Sequence, residues 1–115
     1  MIKITLPFPP SVNALYGGGS SQKRFPSKKY KEWLSNLPKL DQKIHGAVRI
    51  TYRLFFTDKR TRDSKNFLKA IDDFLVKQCV IRDDDWTTLT HETIIPMGID
   101  RQNPRIEIEI LPVGT

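Results

Sequence analysis

Residues 47–56 have the sequence AVRITYRLFF, in which apolar and polar side chains alternate. Successive side chains of a β-strand point to opposite faces of a sheet, so this alternation predicts a strand. The inner face that it predicts consists of Val48, Ile50, Tyr52 and Leu54. No other part of the chain predicts a strand as clearly.

A helix is predicted after this strand, beginning near Asp63 and Ser64 and ending near residue 78. Its apolar residues recur three and four positions apart, which is the spacing of a helix that turns one face towards a core. These residues are Phe67, Ala70, Ile71, Phe74 and Leu75. A basic turn at residues 58–62 joins the strand to the helix.

The remaining elements lie on both sides of this pair. An earlier helix is predicted with Ser27 as its N-cap. Pro38 is expected to kink or end this helix. Residues 11–24 predict a loop that leads to this helix. Three further strands are predicted at residues 2–6, 87–95 and 104–111, with a turn at residues 98–103 between the last two.

The chain has 115 residues, a length that excludes two full domains and predicts one domain over residues 1–115. The elements follow the order strand, long loop, helix, strand, helix, strand, strand. Strands that can pair as neighbours favour an α+β fold over a doubly wound parallel sheet. Because 38% of the residues are hydrophobic, we expect a modest core that dimerisation would help to stabilise.

Composition argues against several classes of protein. No apolar run approaches the ~18 residues of a membrane span, and the N-terminus lacks the pattern of a secretory signal. The one cysteine, Cys79, cannot form an intramolecular disulfide, which favours the cytoplasm, and its apolar neighbours predict a small core residue. The glycines at 17–19 lack the Lys-Ser/Thr of a phosphate-binding loop, which argues against a nucleoside triphosphatase.

Charge is divided unevenly along the chain. Residues 1–62 hold thirteen Lys and Arg residues and three acids, whereas residues 63–115 hold six and ten. A basic half attracts a polyanion such as nucleic acid. Carboxylates that face phosphate repel it unless a divalent metal lies between them, as in metal-assisted phosphodiester cleavage. Two solvated surface patches would explain the same counts.

Two acidic segments are candidates for this chemistry. Asp63 is either the N-cap of the second helix or a magnesium ligand at the mouth of the basic turn. The triplet Asp83, Asp84 and Asp85 is either a hydrated turn or a group of like charges that a bound cation stabilises. The helix between the two segments returns the chain to the sheet and could bring them together.

Three other polar residues, one lysine and two histidines, are candidates for a role. Lys69 lies one helical turn after Lys65 and is either solvated or a contact for phosphate. His45 and His91 have no partner at metal-ligand spacing, so we predict that both are structural or surface residues.

Three segments, taken together, resemble the RusA family of Holliday junction resolvases over nearly the whole chain. LPFPPSVNALY at residues 6–16 is similar to the family's first strand and its Pro-Pro-Ser-x-Asn loop. RDSKNFLKA at residues 62–70 stands in the place of the family's Arg-Asp-x-Asp-Asn-Leu-x-Lys helix entrance. VIRDD at residues 80–84 stands in the place of its apolar run and Asp-Asp pair. The three motifs in this order are more specific than any one of them.

The resemblance implies a small mixed β-sheet with two main helices, assembled as a homodimer. It also implies a bacterial or phage-encoded endonuclease that uses magnesium or manganese to nick four-way DNA junctions symmetrically in recombination and repair. By the same resemblance Asp63, Asp84 and Lys69 are catalytic, and Asp83 supports or shares the metal site. The residues that we expect to hold the DNA backbone are Lys23, Arg24, Lys28, Lys29, Lys31, Arg60, Arg62 and Lys65.

Lys65 departs from the family pattern, because it stands where the family has its second acidic residue. An ammonium group there changes the charge beside the metal by two units. Asp85, or Asp72 or Asp73 on the helix, would compensate as a ligand. Alternatively, Lys65 contacts a phosphate beside a single metal held by Asp63, Asp83 and Asp84. In a third interpretation the protein binds junctions without cutting them.

The sequence therefore leaves three functions open. The first is an active junction resolvase, and the second is a catalytically impaired DNA-binding protein on the same scaffold. The third is a small basic protein whose partner is another protein.

Overall fold

Four strands form the main sheet in the computed structural model, which describes residues 1–9, 16–17, 25–58, 68–83 and 85–113. These strands are β1 (Ile2–Pro7), β4 (Val48–Phe56), β5 (Leu89–Ile99) and β6 (Arg105–Pro112). A separate pair consists of β2 (Tyr16–Gly17) and β3 (Phe25–Pro26), and the two helices are α1 (Lys28–Ser35) and α2 (Leu68–Lys77).

The main sheet is mixed, with the strand order β1-β6-β4-β5. Strand β6 is antiparallel to both of its neighbours, so that Ile108 lies opposite Ile4 on one side and Tyr52 on the other. Strands β4 and β5 are parallel, and α2 lies in the connection between them, as a parallel pair requires. A mixed four-stranded sheet with two helices confirms the predicted α+β architecture.

One face of the sheet is buried by the two helices. The alternating apolar residues of the predicted strands point to this face: Ile2, Ile4 and Leu6 of β1, Val48, Ile50, Tyr52 and Leu54 of β4, and Ile106, Ile108 and Ile110 of β6. Leu68, Ala70, Ile71, Phe74 and Leu75 bury the apolar face of α2 against them. The ring of Trp33 on α1 meets that of Phe74 edge-on, with centroids 6.4 Å apart. The core therefore joins both helices to the sheet.

The ends of the helices agree with the sequence where the structure describes them. The Oγ of Ser27 accepts a hydrogen bond of 3.1 Å from the backbone N–H of Tyr30, which confirms it as the N-cap of α1. This helix ends at Ser35, before Pro38 disfavours helical backbone in the residue that precedes it. The predicted beginning of α2 near Asp63 lies outside the described residues.

The last two strands are not neighbours, although the sequence predicts only a short turn between them. β5 continues to Ile99, and β4 lies between β5 and β6. The connection crosses the end of β4, where the N–H of Asp100 donates to the carbonyl oxygen of Phe56 at 2.8 Å. The Arg105 guanidinium donates a hydrogen bond of 2.8 Å to the Oδ2 of Asp100, and its Cζ lies 3.8 Å from the centre of the Phe55 ring.

Cys79 is exposed, so its prediction as a core residue is wrong. It follows the last turn of α2 with a φ of 59°, in the left-handed conformation that often ends a helix. The N–H of Cys79 donates to the carbonyl oxygen of Val76, and that of Val80 donates to Leu75, at 2.9 and 3.0 Å. At this helix end the chain changes direction. Val80 and Ile81 then occupy the buried positions, and Cys79 is left on the surface.

No helix within the described ranges is long and apolar enough to cross a membrane.

Candidate active site

Two members of the acidic triplet, Asp83 and Asp85, lie on a short surface segment between α2 and β5. Val80 and Ile81 anchor this segment, since at most 1% of the surface of either residue is exposed. The chain then emerges, and Asp83 and Asp85 are exposed just before β5 begins. The structure thus confirms that α2 returns the chain to the sheet at the acidic triplet. Asp63 and Asp84 lie outside the described residues, so their predicted approach to each other stays a prediction.

Asp85 closes a turn at the beginning of β5. Its Oδ1 accepts hydrogen bonds from the N–H and the hydroxyl of Thr87, at 3.0 and 2.5 Å, and from the N–H of Thr88 at 3.2 Å. The bond from the Thr87 hydroxyl is the main cause that lowers the pKa of Asp85, and the two backbone bonds and the nearby Arg82 charge act in the same direction. The carboxylate is therefore ionised and oriented, whether or not it also serves as the predicted metal ligand.

Arg82 braces the same turn from its other side. Its Nη2 donates to the hydroxyl oxygen of Thr88 at 3.1 Å and to that of Thr87 at 3.4 Å. Thr88 is fully buried, which fixes the anchor point of the guanidinium. Sequence reasoning missed this role of Arg82. An arginine directly before an acidic run, with two threonines one residue after the run, is a signal that could have indicated it.

Lys69 lies on the exposed side of α2, with 55% of its side chain accessible. Its Nζ is 3.3 Å from Oδ1 of Asp73, one helical turn further along. The neighbouring acid Asp72 accepts a hydrogen bond of 2.5 Å from the hydroxyl of the buried Tyr52, which ties α2 to β4. Both helix acids thus have partners within the chain. To replace the motif acid that is missing at Lys65, Asp72 would lose its bond from Tyr52 or Asp73 its contact with Lys69.

Helix α1 presents the lysines that the structure describes among the expected DNA contacts. Tyr30 and Trp33 bury one face of the helix, and Lys28, Lys29 and Lys31 are exposed. Lys23, Arg24, Arg60, Arg62 and Lys65 lie outside the described residues. Both histidines are exposed, as predicted for surface residues, and His91 Nδ1 lies 2.9 Å from the hydroxyl oxygen of Thr90.

A metal site formed only by the described residues is not found, because no three of their His, Cys, Asp or Glu side chains lie close enough together to hold an ion. Asp63 and Asp84 are not among the residues searched. The exposed carboxylates of the triplet are hard oxygen donors of the kind that magnesium prefers, so the chemistry of the donor set fits this ion.

Comparison with known families decides which class of protein carries this site. The family model for endodeoxyribonuclease RusA matches residues 7–111. The chain belongs to the RusA family. Since RusA proteins are endodeoxyribonucleases that resolve Holliday junctions, the chain is a nuclease that acts on DNA. The RusA match extends from the end of β1 to β6 and includes Lys69 and both acidic segments. A search of curated proteins found no match to the chain.

The pKa of Asp85 gives a prediction for stability. Asp85→Asn is expected to lower the midpoint of thermal unfolding at pH 7, because the ionised carboxylate accepts three hydrogen bonds. Because the pKa of Asp85 is lower in the folded protein, its carboxylate stabilises the fold at any pH above its ordinary pKa of 3.8. This contribution is lost as the pH falls through the lowered pKa of the folded protein. Thermal melts of both proteins between pH 7 and about pH 2.5 should therefore converge at the acid end.

The matched control is Asp41→Asn, which removes an exposed carboxylate from another segment. Its effect on the melting midpoint should be smaller at pH 7. A difference between Asp85→Asn and the native protein that persists unchanged at low pH would contradict the charge-based explanation.

Proposed function

We propose that this protein is a magnesium-dependent resolvase, which cuts four-way DNA junctions by paired symmetric nicks in recombination and repair. The observation that carries the proposal is the RusA match over residues 7–111, which contains both acidic segments and Lys69. The described structure supports it by presenting Asp83 and Asp85 on a braced surface turn.

In this mechanism Asp63, Asp83 and Asp84 would hold magnesium, and Asp85 would either join them or orient the turn. Bound magnesium supplies Lewis acidity and lowers the pKa of an attacking water. Lys69 approaches the phosphate and offsets the negative charge that develops during in-line displacement. Its contact with Asp73 holds the ammonium group on the outer face of α2 until DNA arrives.

The basic first half of the chain binds the DNA backbone. Lys28, Lys29 and Lys31 project from a helix whose other face is fixed in the core, so that they present positive charge on a rigid element. Contacts from lysine to phosphate position a duplex without reading its sequence. Recognition of the junction would then rest on DNA shape, and affinity would fall as salt rises.

The proposal includes a homodimer, because symmetric nicks on a two-fold junction require two sites related by the same symmetry. Strand β5 supports it, since it lies at the edge of the sheet and carries Met97 and Ile99 with 48% and 44% of their surfaces exposed. A second copy that covers this strand would bury these side chains.

The test is an incubation of the protein with an end-labelled four-way junction and with a duplex of matched sequence. Magnesium, manganese or a chelator is added in parallel reactions. The proposal expects symmetric nicks that need the metal and occur only in the junction. Metal-independent cutting, or equal cutting of the duplex, would contradict it. Equally weak binding of junction and duplex at moderate salt would instead favour a protein partner.

Lys65 favours a second candidate function, a protein that binds junctions without cutting them. Its ammonium group repels a metal ion in the place where the family motif has a carboxylate. This candidate expects tight junction binding that survives chelation and no nick with either metal.

Lys65→Asp distinguishes the two candidates. The substitution restores the motif acid, and we expect it to lower the magnesium concentration for half-maximal cleavage by about tenfold, equivalent to about 1.4 kcal/mol of metal binding. The matched control is Lys77→Asp, which makes the same charge change on the exposed far end of α2. Cleavage that only Lys65→Asp displays would identify the natural protein as a binding protein. An unchanged magnesium requirement would place Lys65 away from the metal.

A further inference from the structure

A surface pocket of about 410 Å³ lies beside the acidic triplet, outside the residues assigned to catalysis. It is formed where the C-terminal end of α2 meets the segment before β4 and the segment before the triplet. We call it the Lys43 pocket. Its lining residues are Lys43, Ile44, His45, Gly46, Val76, Cys79, Ile81 and Arg82.

The walls of the Lys43 pocket are held together by the backbone. The N–H of Ile44 donates to the carbonyl oxygen of Val80 at 2.9 Å, which joins the segment before β4 to the segment after α2. Ile44 is half-buried, whereas the residues on either side, Lys43 and His45, are exposed. The pocket thus has an apolar floor and a rim of basic side chains.

The rim carries an excess of positive charge. Among the described residues that line the pocket, Lys43 and Arg82 carry positive charge, His45 adds an imidazole, and none is acidic. Arg82 donates to neutral hydroxyls of Thr87 and Thr88, and these bonds orient its guanidinium without neutralising it. The acids that follow Arg82 along the chain are the triplet Asp83, Asp84 and Asp85. Asp83 is exposed, and the Arg82 charge stabilises the ionised form of Asp85. Arg82 is therefore shared between the cationic rim and the acidic turn.

We propose that the Lys43 pocket binds a phosphodiester group of the DNA strand on which the acidic triplet acts, one or two nucleotides from the bond that is cut. This inference rests on the proposed function. Arg82 and Asp84 are two residues apart, so their Cα atoms are separated by at most about 7 Å. Successive phosphates of one strand are spaced by about 3.4 Å along the duplex axis. Because Arg82 lines the pocket and is followed directly by the triplet, a strand whose phosphate lies at the triplet passes close to the rim.

Cys79 makes the proposal directly testable, since it lines the pocket, is exposed and is the only cysteine of the chain. Its rate of modification can be measured with neutral N-ethylmaleimide and with a dianionic aromatic disulfide. Both reagents attack the thiolate, so their ratio cancels changes in thiol ionisation. We expect the cationic rim to favour the dianionic reagent, and Lys43→Gln combined with His45→Gln to lower this preference about threefold or more.

DNA binding is followed by the same reporter in the presence of a chelator, where no strand is cut. Saturating junction DNA should slow modification of Cys79 at least about tenfold. The double variant should weaken this protection and reduce the slope of log affinity against log salt by about one. Lys39→Gln, an exposed lysine of the same segment outside the pocket lining, is the matched control and should leave protection unchanged.

Gel-shift measurements on the same samples separate the possible failures. Junction DNA that binds while Cys79 reacts at its free rate would overturn the pocket and leave the resolvase proposal intact. A protein that binds no DNA would overturn both. A third arm uses inorganic phosphate, and protection by phosphate alone, without protection by DNA, would identify a small-anion pocket and overturn the assignment to the DNA strand.

Discussion

Asp84→Asn is expected to lower the rate of junction cleavage about 1,000-fold, which corresponds to about 4 kcal/mol of lost transition-state stabilisation. The amide has nearly the shape of the carboxylate but lacks its charge, so it binds magnesium poorly. Junction binding in chelator should be unchanged or slightly stronger, because one negative charge is removed from a surface that faces phosphate. The measurements are single-turnover cleavage and a gel shift of the uncut junction.

The triplet itself provides the comparison for this experiment. Asp63→Asn should match Asp84→Asn in severity, because the proposed metal has ligands from both segments. Asp85→Asn should retain most of the activity if Asp85 only orients the turn through the threonines, and should lose it if Asp85 also binds the metal. Cleavage by Asp84→Asn at the native rate would remove Asp84 from the catalytic centre.

Ile108→Ala is expected to have the largest effect on stability, lowering the free energy of unfolding by about 2–5 kcal/mol. Ile108 is 1% exposed and lies opposite both Ile4 and Tyr52, in a strand bonded on each side. Its truncation leaves a cavity in the core where β1, β6 and β4 lie side by side. Denaturant titration measures the loss, which is a large fraction of the ~5–15 kcal/mol that stabilises a typical domain.

Ile99→Ala is the matched control, since it removes the same atoms from a side chain that is 44% exposed. In an isolated chain this substitution should change the free energy of unfolding by about 0.5 kcal/mol or less. If Ile99→Ala costs as much as Ile108→Ala, the outer end of β5 is covered in solution. Such a result, repeated at two protein concentrations, would support the homodimer.

Local structure was predictable wherever a short pattern determines it. The alternation at residues 47–56 indicates which side chains of β4 are buried, and Ser27 marks the beginning of α1. The alternation of a strand does not indicate which strands pair with it. A strand that follows a hairpin and a strand that follows a crossover both have one buried face and one exposed face, so their sequence patterns are the same. For this reason the sequence did not predict that β4 separates β5 from β6. Cys79 was misplaced because its apolar neighbours hide a helix end with positive φ.

The candidate site divides in the same way. The roles of Asp63, Lys69 and Asp84 are implied by the resemblance to the RusA motifs, and they stay predictions because Asp63 and Asp84 lie outside the described residues. The bonds of Asp85 and Arg82 to Thr87 and Thr88 depend on how one turn closes, and single residues do not report it. The Lys43 pocket joins segments that are far apart in the chain, so only the three-dimensional arrangement places its basic residues together.

The position of β6 has a consequence for how the protein is made in the cell. Ile2 at the beginning of β1 pairs with Ile110, near the end of β6, and β6 separates β1 from β4. Translation adds about 5–20 residues per second, so β1 is synthesised roughly 5–20 s before its partner strand. During this interval the apolar faces of β1 and β4 have no shared strand and are open to chaperones. The four-stranded sheet is therefore completed only after Arg105–Pro112 has been synthesised, and β1 has no strand to pair with in this sheet until then.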